Sequence, residues 1–446
     1  MTTNLYISCK NQTDVHYLMR KTRKTIKVLH SIKMIKCNSS LINSIFDKTL
    51  YSIHFLSQPF IYYLSVFLVF SMLVLILVYR FQIRTGFWGK QPMKHKYSLL
   101  DKVKGEGVIE GALPVWNKYC NEVNVNTTDQ INETILYRIA ELSSKNESLD
   151  DGLVKHVNTN DLEAMFNGFQ NPVYVSFYSK TSSDYGCLTS RPIKIRIGDV
   201  VLQAYYFSLF HINSGSGSNK ENIESNLLQT HEFYQRSNNP DINVSLFFRK
   251  KRLNQVSELC AFDIVTYEID LDLDYDFSCK RSIHVFSVRT SAQISTLIDF
   301  VKSRKDYFKI DIVTTIGNLL TLIEKGQLFV IGCSMFDQLL GYVFFRDFKN
   351  GTKNDPVLDC ICSLFDKEID STLYLAACHS TFTRGIMIAT KTCTSRYLRI
   401  WGLGDCEAII NLLGQKKRHI KKEAHYIYLY NYRSNIVEGK QILMLI

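Results

Sequence analysis

The sequence predicts an α/β (α+β) fold made of two successive units around a mixed sheet, preceded by one transmembrane helix. Three observations carry this reading. Helical and strand periodicities alternate through residues 115–446. The order helices, strands, loop, helix occurs twice. A twenty-residue run without a charge, Phe60–Tyr79, lies ahead of both units.

Residues 1–59 read as a basic tail. It holds nine Lys and Arg residues against Asp14 and Asp47, so seven of the net eleven positive charges lie there. The rest of the chain is close to neutral, which argues against nucleic acid as a partner. Residues 60–79, "FIYYLSVFLVFSMLVLILVY", are long enough to span a bilayer, with Tyr62, Tyr63 and Tyr79 at interfacial positions. A signal-peptide core would be shorter and nearer the start. The reading is therefore a single-pass protein with a membrane partner. Arg80, Arg84, Lys90, Lys94 and Lys96 follow the span, and Lys48 alone precedes it within twenty residues. That asymmetry places the C-terminal part in the cytosol, although the more distant cluster from Arg20 to Lys36 pulls the other way. Glycosylation sequons at Asn126, Asn132, Asn243 and Asn350 would matter for a lumenal body.

Residues 80–114 read as a linking arm, 115–278 as an N-terminal half and 279–446 as a C-terminal half. Apolar residues recur at helical spacing from Asp129 to Leu142. "NTNDLEAMFNGF" starts a second helix, with Thr159 or Asn160 as N-cap. "PVYVSFYS", "IKIRIGDVVLQAYYFSLFHI", "INVSLFFRK" and "CAFDIVTYEIDLDL" are rich in β-branched and aromatic residues and read as strands. The polar "NSGSGSNKENIESN" leads into the helical "LLQTHEFYQR". In the second half "SAQISTLIDFVKSR" is helical, "QLFVIGCSMFDQLLGYVFFRDF" a strand pair and "STLYLAACHS" another strand. "TFTRGIMIATKTCTSR" is helical, "YLRIWGL" a strand and "DCEAIINLLG" a helix. Tyr426–Tyr432 and Ile442–Ile446 then form two strands of a wide closing hairpin.

The chain has no HExxH, GxSxG, P-loop or Rossmann glycine pattern. Cys360 and Cys362, in "LDCICSLF", point to one strand face as small core residues, and no metal site is read. Glu268–Asp276 is an acidic strand end and turn. His231 is a satisfied histidine on a helix. An apolar end at Ile446 is unusual, because chain ends are commonly frayed and polar. A buried carboxylate there needs a partner.

Several segments together resemble one family. "GFWGKQP" (86–92), "YYFSLFHIN" (205–213), "YIYLYNY" and the abrupt apolar end occur in order at family-like separations. The chain resembles the N-myristoyltransferases over residues 87–446. The resemblance implies a duplicated acyl-CoA N-acyltransferase-like fold. The activity it implies is transfer of a myristoyl or other long-chain acyl group from coenzyme A to the N-terminal glycine amine of a protein or peptide. Myristoyl-CoA is then a substrate, and no cofactor is permanently bound. By the same resemblance the terminal carboxylate of Ile446 is the general base. Phe207 and Ser208 supply backbone amides to the thioester oxyanion, Ser208 standing where the family has leucine. Phe87, Trp88, Gln91, His211, Ser216, Gly217 and Lys220 fall to coenzyme A, and Asp150, Asp151, Tyr428 and Tyr430 to the peptide.

Other readings stay open beside these. One alternative is a tail that simply completes a sheet, and another is a Phe87–Trp88 patch that docks on the bilayer. The loop after His211 carries one lysine, Lys220, against Glu221 and Glu224, which suits a surface insertion better than a pyrophosphate cradle. A basic run, Lys416, Lys417, Arg418, His419, Lys421 and Lys422, replaces the acidic turn the family carries. It fits anionic headgroups or a solvated loop. The runner-up function is an inactive, membrane-tethered relic serving as a binding or scaffold module.

Overall fold

A computed structural model describes residues 58–84, 87–98, 101, 103–113, 125–145, 157–180, 183–212, 220–269, 282–347, 357–393, 395–415 and 419–446. The chain divides into two compact units, Met1–Arg84 and Thr85–Ile446. The described part of the first is helix α1 (Gln58–Arg84). Its stretch Tyr62–Tyr79 has a mean hydropathy of 2.3 and no buried residue, so it is long and apolar enough to cross a membrane.

The second unit is built on a mixed sheet. Its first half supplies β1 (Val125–Thr128), α2 (Glu133–Lys145), α3 (Thr159–Phe166), β2 (Tyr174–Lys180), β3 (Ser183–Ile197), β4 (Val200–Ile212), α4 (Lys220–Asn238), β5 (Val244–Arg249) and β6 (Cys260–Glu268). Its second half supplies β7 (His284–Ser287), α5 (Ser291–Ser303), β8 (Ile310–Val313), α6 (Ile316–Glu324), β9 (Leu328–Met335) and β10 (Gln338–Arg346). Then follow β11 (Val357–Phe365), α7 (Ser371–Thr390), β12 (Tyr397–Trp401), α8 (Cys406–Gly414), β13 (Lys421–Tyr430) and β14 (Ile442–Leu445). The strand order is β14-β8-β3-β4-β5-β13-β6-β12-β11-β10-β9-β7, with β2 and β1 beside the other end of β3.

Each half repeats one motif. A helix carries the chain from one strand to a parallel neighbour, β4–α4–β5 in the first half and β11–α7–β12 in the second. The following strand then crosses to the other half. β6 pairs with β12, β13 pairs with β5, and β6 and β13 pair with each other. This exchange makes one sheet of the two halves. One large apolar cluster, including Ile193, Leu246, Phe344 and Met444, draws on both.

Several segments depart from the sequence pattern. The N-cap of α3 is Asn158, whose side chain accepts from the amide of Asp161; neither Thr159 nor Asn160 fills that place. "STLYLAACHS" is the first half of α7 and not a strand. Asp370 caps it, and its inner face is small enough that a Cβ on Gly385 would lie 2.4 Å from the Phe345 ring. Its apolar run never alternates strictly, so helix fits as well as strand. α4 begins at Lys220, inside the segment that reads as loop.

Cys360 and Cys362 are both buried, yet they do not share a face. A bulge at Ile361 turns Cys360 into one apolar cluster and Cys362 into another. The two closing strands are not a hairpin. β13 lies mid-sheet, whereas β14 pairs in parallel with β8 at the far end, Ile442 opposite Ile310 and Leu445 opposite Val313. The connection reaches that far because Val437–Glu438 pairs with β6 on the way.

Two loops meet where Gly168 faces Gly317. Gly168 has φ +84°, and a Cβ there would lie 2.4 Å from the backbone of Gly317 and Asn318. The Asn318 amide holds the carbonyls of Ala164, Met165 and Asn167 nearby. Gly168→Ala is expected to cost about 2–4 kcal/mol, read as a lowered denaturation midpoint at unchanged slope. An unchanged midpoint would refute this packing.

Candidate functional site

The centre of the sheet holds the arrangement that could do chemistry. β4 and β5 are parallel and pair over Ala204–Tyr206 against Val244–Leu246, and no further pairing between them follows among the described residues. Beyond Tyr206 the two strands part. β4 then bulges: Ser208 sits opposite Thr189 and His211 opposite Cys187, leaving Leu209 and Phe210 as the extra length. Leu209 adopts φ +50°, a left-handed conformation rare for leucine. Thr189 pins the bulge, its hydroxyl lying 2.7 Å from the Ser208 carbonyl and 2.9 Å from the Ser208 hydroxyl. Phe207 and Ser208 thus begin a stretch whose β5 side has no strand partner.

Aromatic side chains wall one face of this gap. Phe247 stacks on Trp88 at 5.3 Å, on Tyr428 at 5.4 Å and on Phe207 at 6.4 Å. Phe87 packs edge-on against Trp88. Both stand on a short 3-10 turn, Phe87–Lys90. Arg249 lies 5.2 Å over Trp88 and pairs with Glu224 on the second turn of α4. Gln91 is buried as a peg, its carbonyl oxygen accepting from Gln229 of α4 and from the Tyr430 hydroxyl. The Tyr428 hydroxyl accepts from the Leu253 amide. The docking-patch reading of Trp88 therefore meets a ring already stacked in this wall.

The opposite face carries buried charge. Ile446 is buried, and its carbonyl oxygen accepts from Arg346, itself fully buried at the end of β10. Burial and the neighbouring Arg191 hold the Arg346 guanidinium well below the usual arginine range. Arg191, on β3, is 1% exposed and lies 5.2 Å over the Tyr206 ring. Burial lowers it to about 10. Tyr206 adjoins Phe207 and lies under Arg191, whose charge in turn acts on Arg346, the donor to Ile446. Asp359, opposite Arg346 on β11, is already held by Arg399 and by the Trp401 ring nitrogen. Sequence reasoning missed Arg191, Arg346 and Asp359. The available signal was a charge inside a strand-like run, as in "SRPIKIRI" and "VFFRD".

Beneath the bulge, α4 contributes a polar seam. His231 bonds Ser176 at 2.8 Å and Ser190 at 2.7 Å, which confirms it as a satisfied core histidine. Burial pushes it down to about 3. Glu232, buried beside Ser245, is raised to about 7, with Arg236 and Ser245 opposing the rise. His211 is fully buried, its ring finds no hydrogen-bond partner among the described residues, and burial pushes it down to about 4. Lys220 opens α4 at the surface. Ser216, Gly217, Asp150 and Asp151 lie outside the described residues, as do Lys416, Lys417 and Arg418. Lys421 and Lys422 belong to β13, paired with Glu423 and Asp263, so this part of the basic run is not a loop.

A cavity of about 870 Å³ opens between β3, β8 and the start of α6. Ile193, Lys194, Thr315 and Leu445 help line it, and none of the residues expected to bind coenzyme A or peptide does. Among the described residues no group of His, Cys, Asp or Glu is arranged to hold a metal ion.

No protein-family model and no curated protein matches the sequence. Solved structures do match the fold. Saccharomyces cerevisiae N-myristoyltransferase with bound myristoyl-CoA is similar over 79% of this chain and 94% of that one, with TM-score 0.58 and 13% identity. The same protein with bound myristoyl-CoA and inhibitors gives TM-score 0.60 at 13% identity, over 79% and 91% of the two chains. The chain has the N-myristoyltransferase fold, as its motifs implied.

The buried histidines set a pH dependence. His211 and His231 titrate below the unfolded value, so the unfolded chain binds more protons between about pH 4 and 6.5 and stability falls as pH falls through that window. Glu232, raised, acts in the opposite sense as pH rises from about 4.5 to 7. Two histidines outweigh one glutamate. His211→Leu is expected to flatten the acid limb, by up to about 1.4 kcal/mol per pH unit, in denaturant midpoints taken at pH 5 and 7. An unaltered limb would show that His211 is protonated in the fold.

Proposed function

We propose that this protein is a membrane-anchored N-acyltransferase. It moves a long-chain acyl group, myristoyl by resemblance, from coenzyme A to a glycine amine at the N-terminus of a protein or peptide. The observation that carries the reading is the parting of β4 from β5 at Tyr206, with a bulge at Leu209 and an aromatic wall beside it. A gap between parallel strands at mid-sheet admits an extended thioester. Its edge presents amides from Phe207 onward to the carbonyl oxygen.

In the proposed step the acceptor ammonium gives a proton to the Ile446 carboxylate. The free amine forms the C–N bond at the thioester carbon while the C–S bond breaks. The coenzyme A thiolate leaves and takes up the second proton that the nitrogen gives up, so the products are an amide and a thiol. Backbone amides at Phe207 and Ser208 hold the developing oxyanion, each worth about 3 kcal/mol where measured in other enzymes. The flanking charge of α1 supports a cytosolic body.

The inactive-relic reading also has an observation in its favour. Arg346 already donates to an Ile446 oxygen, and that bond lowers the basicity of the carboxylate an ammonium would need. One experiment separates the two. The full chain in detergent is expected to bind myristoyl-CoA and acylate a glycyl peptide. A Gly-Ser extension after Ile446 is expected to keep donor binding within about twofold and lower turnover at least about a hundredfold. A folded chain that binds no donor would overturn the transferase reading, and an extension that leaves turnover intact would remove Ile446 as base.

A further inference from the structure

We infer that the cavity between β3, β8 and α6 is the acceptor groove, and that it takes a peptide whose residues just after the amine are acidic. The inference rests on the acyl-transfer reading for the acceptor's role, but on separate residues for its charge. Lys194, Lys302 and Lys305 line the cavity. Asp311, its lining carboxylate, is held 2.6 Å from Arg196, whose other donors are spent on the carbonyls of Gly198, Lys305 and Phe308. Lys302 has an exposed neighbour, Asp299, at 3.6 Å, a pair of small effect. The lining therefore keeps a surplus of positive charge.

Buried charge next in sequence to the lining points to the same ligand. Ile193 and Leu445 line the cavity, and they stand two residues and one residue from Arg191 and Ile446. Arg191 is fully buried, and its Nε and Nη1 find no acceptor among the described residues. A buried guanidinium with idle donors is costly unless a ligand satisfies it, and a carboxylate supplies both charge and acceptor oxygens. Arg191 and the oxygen of Ile446 together complement a ligand carrying an anion near an ammonium. A peptide with a free amine and an acidic second or third residue has that pattern. A lysine-rich N-terminus would meet like charge along the whole route.

The test is calorimetry on the full chain in detergent with two amidated peptides, Gly-Asp-Glu-Ala-Ala and Gly-Lys-Lys-Ala-Ala, alongside separate titration with myristoyl-CoA. The acidic peptide is expected to bind at least about tenfold more tightly, with the margin shrinking as salt is added. Arg191→Met and the double change Lys194→Glu with Lys305→Glu should each remove most of that margin. If Arg191→Met fails to fold, the surface lysine pair still gives the answer. Equal binding of the two peptides, or a preference that survives both variants, overturns the inference. Acidic preference without donor binding would defeat the transferase reading and leave the groove; donor binding without preference would defeat the groove alone.

Discussion

A guanidinium leaves water at a high cost unless acceptors or a counter-charge meet it, and Arg346 is where this fold meets that constraint. It lies wholly buried at the end of β10, between Asp359 across the strand pair and the carbonyl oxygen of Ile446. Asp359 already serves Arg399 and Trp401. The chain end is therefore drawn in by a charge that needs it, and β14 follows by pairing along β8. Removing one member of such a group leaves an uncompensated buried ion, at about 3–5 kcal/mol. The placement of β14 far from β13 follows from that demand as much as from apolar burial.

The arrangement explains which parts of the molecule could be read in advance. The β3–β4 ribbon, the arm at Phe87–Gln91 and the strand ending in Tyr430 are continuous in sequence, so their patterns survive on one line. The β-branched and aromatic content of "VVLQAYYFSLFHI" marks the strand. The partnership of Arg191, Arg346 and Ile446 joins three distant segments, and no periodicity reports it. β13 and β14 misled for a related reason: two apolar runs with a short polar link look like a hairpin, and only the rest of the sheet shows that the neighbours of β13 are β5 and β6. In α7 the small residues that allow close approach to Phe345 carry no strong propensity, so helix and strand were not separable.

The two faces of the central gap have different chemistry. On one, Trp88, Phe247, Tyr428 and Phe207 form an apolar wall backed by α4, and Gln91 ties the arm to that helix and to β13. On the other, charged groups meet in low dielectric, where each interaction is strong and each unpaired group is costly. On the proposed acyl-transfer reading, coenzyme A and its chain belong on the first face and the amine on the second. The gap between β4 and β5, where the backbone of Phe207 and Ser208 leaves its strand partner, is where the two would meet.

The buried cluster also constrains how any acceptor could enter. An ammonium arriving at Ile446 meets a carboxylate that already accepts from Arg346, and Asp359 is shared with Arg399 and Trp401. An acceptor that carries its own carboxylate brings a counter-charge with it: its ammonium faces the carboxylate and its anion faces the arginines. Such an acceptor adds one charge of each sign, so its entry leaves the buried net charge unchanged, whereas an acceptor rich in lysine adds positive charge beside two buried guanidinium groups.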